Sequence, residues 1–108
     1  MLKIVFDTNI FISAFLFPSG KTERVYRLAT QRKIRLYTSP TIMAEVADKL
    51  RTKFQVEEED IIDVLKQIAR IAEIVKPTTK ITLLGDDPDN RILECAVHSQ
   101  VDLVVSGD

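Results

Sequence analysis

Residues 101–108 read "VDLVVSGD" and residues 2–7 read "LKIVFD". In both, an apolar and β-branched run leads into an acid, Asp108 in the first and Asp7 in the second. Short apolar runs closed by turn formers read as strands. Apolar character without alternation reads as a strand buried on both faces of a parallel sheet, so Val101–Val105 is expected to be buried. Parallel strands share one C-terminal edge, and open α/β sheets gather functional groups just beyond that edge. The two acids at strand ends therefore set both the fold class, α/β, and the place to look for chemistry.

Working outward from these strands, helices and strands alternate. "TNIFISAFL" (8–16) reads as a short helix stopped by "FPSG". A second helix is expected from about Thr22 to Gln31, then a strand in "IRLYTS" (34–39). Ser39 followed by Pro40 is an N-cap with proline at the first helical position. The apolar stripe of that helix is Met43, Val46, Ala47, Leu50 and Phe54. "EEED" crowds acids where a helix dipole favours them and opens a helix over about 57–73, with Ile61, Leu65, Ile68 and Ala72 facing inward. "EIVKP" (73–77) is a short third strand, and "KITLLGDD" is ambiguous between strand and loop. Asp87 and Pro88 read as N-cap and first-turn proline of a helix running to about Ser99. The alternation implies a parallel sheet covered by helices on both sides.

The 108 residues suffice for one domain with one core. With 45% hydrophobic and 29% charged residues the composition is that of a soluble globular protein. No apolar run approaches the ~18 residues a membrane span needs. The N-terminal stretch lacks a basic n-region and is broken by Asp7 and Asn9, so no signal peptide is expected. A lone cysteine, Cys95, forms no internal disulfide, which fits a reducing cytoplasm. The net charge of −1 excludes a generally basic nucleic-acid binder. The charge is uneven, however: residues 1–54 hold ten Lys/Arg against four Asp/Glu. Lys21, Arg24, Arg27, Arg32, Lys33 and Arg35 crowd into one segment that is suited to tracking a phosphate backbone, or is simply a solvated helix face.

Two carboxylates on one sheet edge repel by roughly 4 kcal/mol at about 4 Å and an effective dielectric near 20. A divalent cation offsets this, and an oxygen-only donor set suits Mg²⁺ or Mn²⁺. Asp7 is also explained as a plain N-cap for the helix at Thr8, and Asp108 as a solvated loop acid. Asp89 falls about 60° from Ile92 at 100° per residue. It is thus expected at the edge of the apolar face formed by Ile92, Cys95, Ala96 and Ser99, pointing toward the sheet. Glu45 falls roughly opposite its helix's apolar stripe, where periodicity alone makes it a solvated acid.

Four stretches, "IVFDTNIFISA", "SPTIMAEVADKL", "DNRILECA" and "LVVSGD", together resemble the PIN-domain family of metal-dependent ribonucleases. The resemblance covers nearly the whole chain and is closest to the small prokaryotic PIN proteins that serve as toxins of toxin–antitoxin pairs. It implies a three-layer α/β/α fold with a parallel sheet in the order 3-2-1-4-5. It implies a catalytic and metal-holding set of Asp7, Glu45, Asp89 and Asp108, with Thr8, Asn9 and Ser106 orienting the acids from behind. Family members continue past the fourth acid into a fifth strand. The expectation is therefore a single domain, 1–108, shortened at its C-terminus, with a sheet ordered 3-2-1-4.

The expected activity is Mg²⁺- or Mn²⁺-dependent endonucleolytic hydrolysis of single-stranded RNA, with an antitoxin protein as partner. Other site chemistries fail. His98 is the only histidine, so a zinc site is improbable. Cys95 lies on an inner helix face, and "PSGKT" lacks the upstream glycine of a phosphate-binding loop. A non-catalytic nucleic-acid-binding or interaction module is the alternative, with an exposed strand edge favouring a homodimer or protein partner. A phospho-acceptor signalling domain would need a lysine beyond a late strand, and none follows Asp108.

Overall fold

The computed structural model describes residues 1–107; Asp108 lies outside the described residues. The strands are β1 (Lys3–Phe6), β2 (Arg35–Thr38), β3 (Ala72–Ile74) and β4 (Leu103–Val105). The helices are α1 (Thr8–Leu16), α2 (Lys21–Thr30), α3 (Pro40–Thr52), α4 (Glu58–Ile71) and α5 (Asp87–Ser99). All pairings are parallel and the sheet order is β3-β2-β1-β4, the order expected, within a three-layer α/β/α arrangement. The chain steps outward from β1 to β2 to β3, then returns to place β4 on the other side of β1. Right-handed crossovers carry helices to opposite faces when the direction reverses. The reversal makes the gap between β1 and β4 the topological switch point.

The core forms where helix stripes meet the two central strands. Val5 and Phe6 of β1 are fully buried, and Phe11 of α1 is almost so. The Phe11 ring meets Phe6 edge-on at 5.6 Å and Tyr26 of α2 at 6.2 Å, tying sheet, α1 and α2 together. Rings this deeply buried contribute about 1.5–3 kcal/mol each. Tyr26 also donates its hydroxyl to Gln67 Oε1 of α4 at 2.8 Å, and its burial pushes the phenol pKa up to about 12.

Several elements differ from expectation. The outer strands are not buried runs: Leu103 and Val104 are about half exposed, because β4 has only β1 beside it among the described residues. α4 passes directly into β3 at Ala72, so the third strand starts before "EIVKP" and the buried stripe becomes Ile61, Val64, Ile68 and Ile71. α3 buries Ile42, Val46, Ala47 and Leu50, while Phe54 lies beyond the helix and is exposed. Ser39 caps α3 as expected, accepting from Ile42 N–H at 3.3 Å. For α5 the cap is one residue earlier than expected: Asp86 accepts from Asp89 N–H at 3.3 Å, and Asp87 is the first helical residue.

Three side chains of α5 organise the loop before it. Asn90 is buried and bridges Leu84, accepting from its N–H at 2.9 Å and donating to its carbonyl at 3.0 Å. Glu94, also buried, accepts from Ile81 N–H at 2.6 Å, and Arg91 bridges Glu94 Oε2 and the Ile81 carbonyl. The Ile81 amide, with Arg91 alongside, holds the Glu94 carboxyl below its ordinary pKa. "KITLLGDD" is thus a loop, fixed from α5.

Two outcomes follow. Ser39→Ala should cost about 1 kcal/mol, read as a lower denaturation midpoint at unchanged slope. A depressed folded pKa contributes stability above the unfolded value, and that contribution is lost as pH falls through the folded value. The stability gap between wild type and Glu94→Gln should therefore be largest near neutrality and shrink below the ordinary carboxylate range. A gap constant with pH in denaturant titrations would contradict the assignment.

Candidate active site

Asp7 leaves the C-terminal end of β1 at the switch point. Its N–H donates to the Val105 carbonyl at 2.9 Å, so the acid is registered against the end of β4. Its side chain caps α1: Oδ1 accepts from Asn9 N–H at 3.2 Å and from the Thr8 hydroxyl at 3.1 Å. Both bonds fall on one oxygen, which leaves the orientation of the other fixed by its partner. Asp7 is therefore the N-cap that local sequence suggests and also an oriented carboxylate at the strand tip. Ser106 and Gly107 continue from β4 over α1. A Cβ at Gly107 would come within 3.1 Å of Ile10 Cδ1, so a larger residue there requires the Ile10 side chain to give way slightly.

Glu45 is not the solvated acid that its helix periodicity implies. α1 packs against the flank of α3 and leaves the Glu45 side chain only 27% exposed. Lys49, one turn on, joins it to the Asp7 cap: its ammonium lies 3.8 Å from Glu45 Oε1 and donates to Thr8 Oγ1 at 3.4 Å. A continuous polar path thus runs Asp7–Thr8–Lys49–Glu45. Lys49 is the participant missed in the sequence. Its position four residues after Glu45 on one helix is the signal that identifies it.

Asp89 lies on the first turn of α5 but is exposed rather than tucked toward the sheet. The inward position belongs to Asn90, because the loop before α5 needs a buried partner for Leu84. Asp87 and Arg91 of α5 do face α3: with Thr8, Glu45 and Asp48 they line a cavity of about 380 Å³. Arg91 is already engaged there by Asp87 and Glu94. Among the described residues, no three His, Cys, Asp or Glu side chains converge as a metal cluster. The oxygen-only donors Asp7 and Glu45 fit a hard divalent cation in chemistry. Of the two, Glu45 is already paired with the Lys49 ammonium, which reaches the Asp7 cap only through Thr8.

The cationic segment is divided. α2 begins near the site, where Thr22 approaches Gly107, so Lys21 and Arg24 lie toward that end. Arg35 starts β2 at the opposite end of the sheet, paired with Glu73 at 3.4 Å. Arg32 there donates to the Arg70 carbonyl at 3.0 Å, with Lys33 beside it, and Arg27 pairs with Glu23 on its own helix. The structure therefore does not gather these six residues at the acids. No helix among the described residues is long and apolar enough to cross a membrane.

Comparison with known proteins agrees with this architecture. An uncharacterized protein of Methanocaldococcus jannaschii is 33% identical over 112 aligned residues, covering 99% of this chain and 71% of that protein. In the crystal structure of VapBC2 from Rickettsia felis bound to a DNA fragment from its promoter, one chain superimposes with a TM-score of 0.68. That match covers 96% of this chain and 87% of the other at 18% identity, a likeness of fold. The PIN domain family model matches residues 3–108. With nearly its whole length matched and its parallel sheet in the expected order, the chain belongs to the PIN-domain family, whose members are generally nucleases.

Proposed function

We propose that this chain is a divalent-metal-dependent endoribonuclease acting on single-stranded RNA, and the toxin of a toxin–antitoxin pair. The observation that supports the reading is Asp7 at the C-terminal tip of β1, linked to Glu45 of α3 through Thr8 and Lys49. Acids so placed in a PIN fold suit phosphodiester hydrolysis. The antitoxin part rests on the likeness of fold to a chain of a VapBC complex.

In this reading Asp7, Glu45, Asp89 and Asp108 hold Mg²⁺ or Mn²⁺, which when bound stabilises charge developing on the phosphoryl and leaving oxygens. Thr8 keeps Asp7 turned toward the edge by donating to Oδ1, and Asn9 N–H does the same. Asn9 and Ser106 side chains support the carboxylates from either strand end. The proton of the attacking water goes either to Glu45, whose charge Lys49 balances at 3.8 Å, or to a hydroxide that the cation would supply. Lys21 and Arg24 supply cations on the same end of the sheet.

Among the described residues β4 pairs only with β1 and its Leu103 and Val104 are half exposed, which favours a second reading, a protein-interaction module that pairs through this strand. RNA cleavage assays separate the two. The wild type should cut single-stranded RNA with Mn²⁺ and stop in chelator, while Asp7→Asn and Glu45→Gln retain the fold and lose cleavage. Thr8→Val should lower the rate by about 10–100-fold, as loss of a supporting hydrogen bond does. A wild type inactive on RNA with either metal would overturn the nuclease reading.

A further inference from the structure

A second cavity of about 290 Å³ is lined by no acid among the described residues. It is lined by Asn9 and Gly107 on the site side, by Lys49 and Lys53 of α3 and its cap, and by Phe17 and Phe54. Phe17 is 63% exposed and Phe54 43%, although both are large apolar rings next to an active-site edge. Lys53 is exposed and makes no ion pair among the described residues. The two lysines stand one helical turn apart, and the rings flank them.

We infer that this cavity is a subsite for one nucleotide of a single-stranded RNA beside the cleaved bond, with Lys53 facing phosphate and Phe54 and Phe17 stacking a base. The inference rests on the nuclease reading and adds the path of the substrate. Exposed aromatics beside a cationic groove are the means by which single strands are held without sequence preference. The volume lies near the lower bound for small-ligand sites, about 300 Å³, and suits one nucleotide rather than a folded partner. Charge also sets direction. The cavity that Thr8 lines carries Glu45, Asp48 and Asp87, with Arg91 neutralised by Asp87 and Glu94, and repels a phosphate backbone. The strand therefore leaves the acids over Asn9 and Gly107 toward Lys53. Arg32, Lys33 and Arg35, at the opposite end of the sheet, take no part.

The test is fluorescence anisotropy of a labelled short oligouridylate with full-length protein in chelator, where no cleavage occurs, repeated across a salt series. Phe54→Ala should weaken binding about fivefold or more, the effect of losing one stacked base. Lys53→Ala should weaken it and lower the salt slope by about one. Lys33→Ala should bind as the wild type does. In cleavage assays with Mn²⁺, Phe54→Ala and Lys53→Ala should raise KM more than they lower kcat. All three residues are exposed, so folding is expected to survive, with circular dichroism as the check. Wild-type affinity in Phe54→Ala and Lys53→Ala would overturn the subsite, including the case in which the cavity serves a protein partner. Weakening by Lys33→Ala alone would place the RNA along the other end and overturn it too. Failure of the nuclease reading looks different: no cleavage by the wild type, whatever the binding.

Discussion

The position of β4 beside β1 is the constraint on which the rest depends. Lys3 N–H donates to Asp102 Oδ2 at 2.8 Å, Asp102 N–H donates to the Lys3 carbonyl at 2.8 Å, and Lys3 Nζ reaches the Ser99 carbonyl. At the other end Asp7 N–H closes on the Val105 carbonyl. These bonds set the register at both ends of a strand only three residues long. A parallel strand this short contributes little packing of its own, since two of its three side chains are half exposed. A one-residue slip would exchange the faces of every side chain and carry Ser106 and Gly107 away from Asp7.

Given that register, the electrostatics of the edge follow from which helices lie over it. The packing of α1 on α3 links the Asp7 cap to Glu45 through Thr8 and Lys49, with Lys49 as the counter-charge of Glu45. Among the described residues, one cavity here carries Glu45, Asp48 and Asp87, and the other carries Lys53 and no acid. A polyanion meets repulsion on the first and attraction on the second. An acid pair alone would hold a cation but would give a phosphate backbone no direction of approach.

Much of this was legible in the residues. The central strands, the Ser39–Pro40 start of α3 and the alternation of elements follow from apolar runs and capping chemistry that act locally. The outer strands misled for a physical reason: an apolar run shows that a segment prefers burial, not that a neighbour is available. Glu45 and Asp89 exchanged character for similar reasons. Helical periodicity places a residue relative to its own helix, but α1 covers the flank of α3, and Asn90 claims the inward position beside Asp89. Neither effect is encoded within the helix concerned. The polar path through Thr8 and Lys49 joins residues 41 positions apart and becomes visible only when α1 and α3 pack.

In the proposed reading, Asp7 and Glu45 hold a divalent cation at the C-terminal edge of the sheet. Anything that binds only the folded state raises its stability by RT ln(1 + [L]/Kd). The most direct measurement is the thermal unfolding midpoint of wild type and Asp7→Asn across a Mn²⁺ titration. A cation held by Asp7 gives a midpoint that climbs with Mn²⁺ in the wild type and stays level in Asp7→Asn. Equal shifts in the two proteins, or none in the wild type, would contradict it.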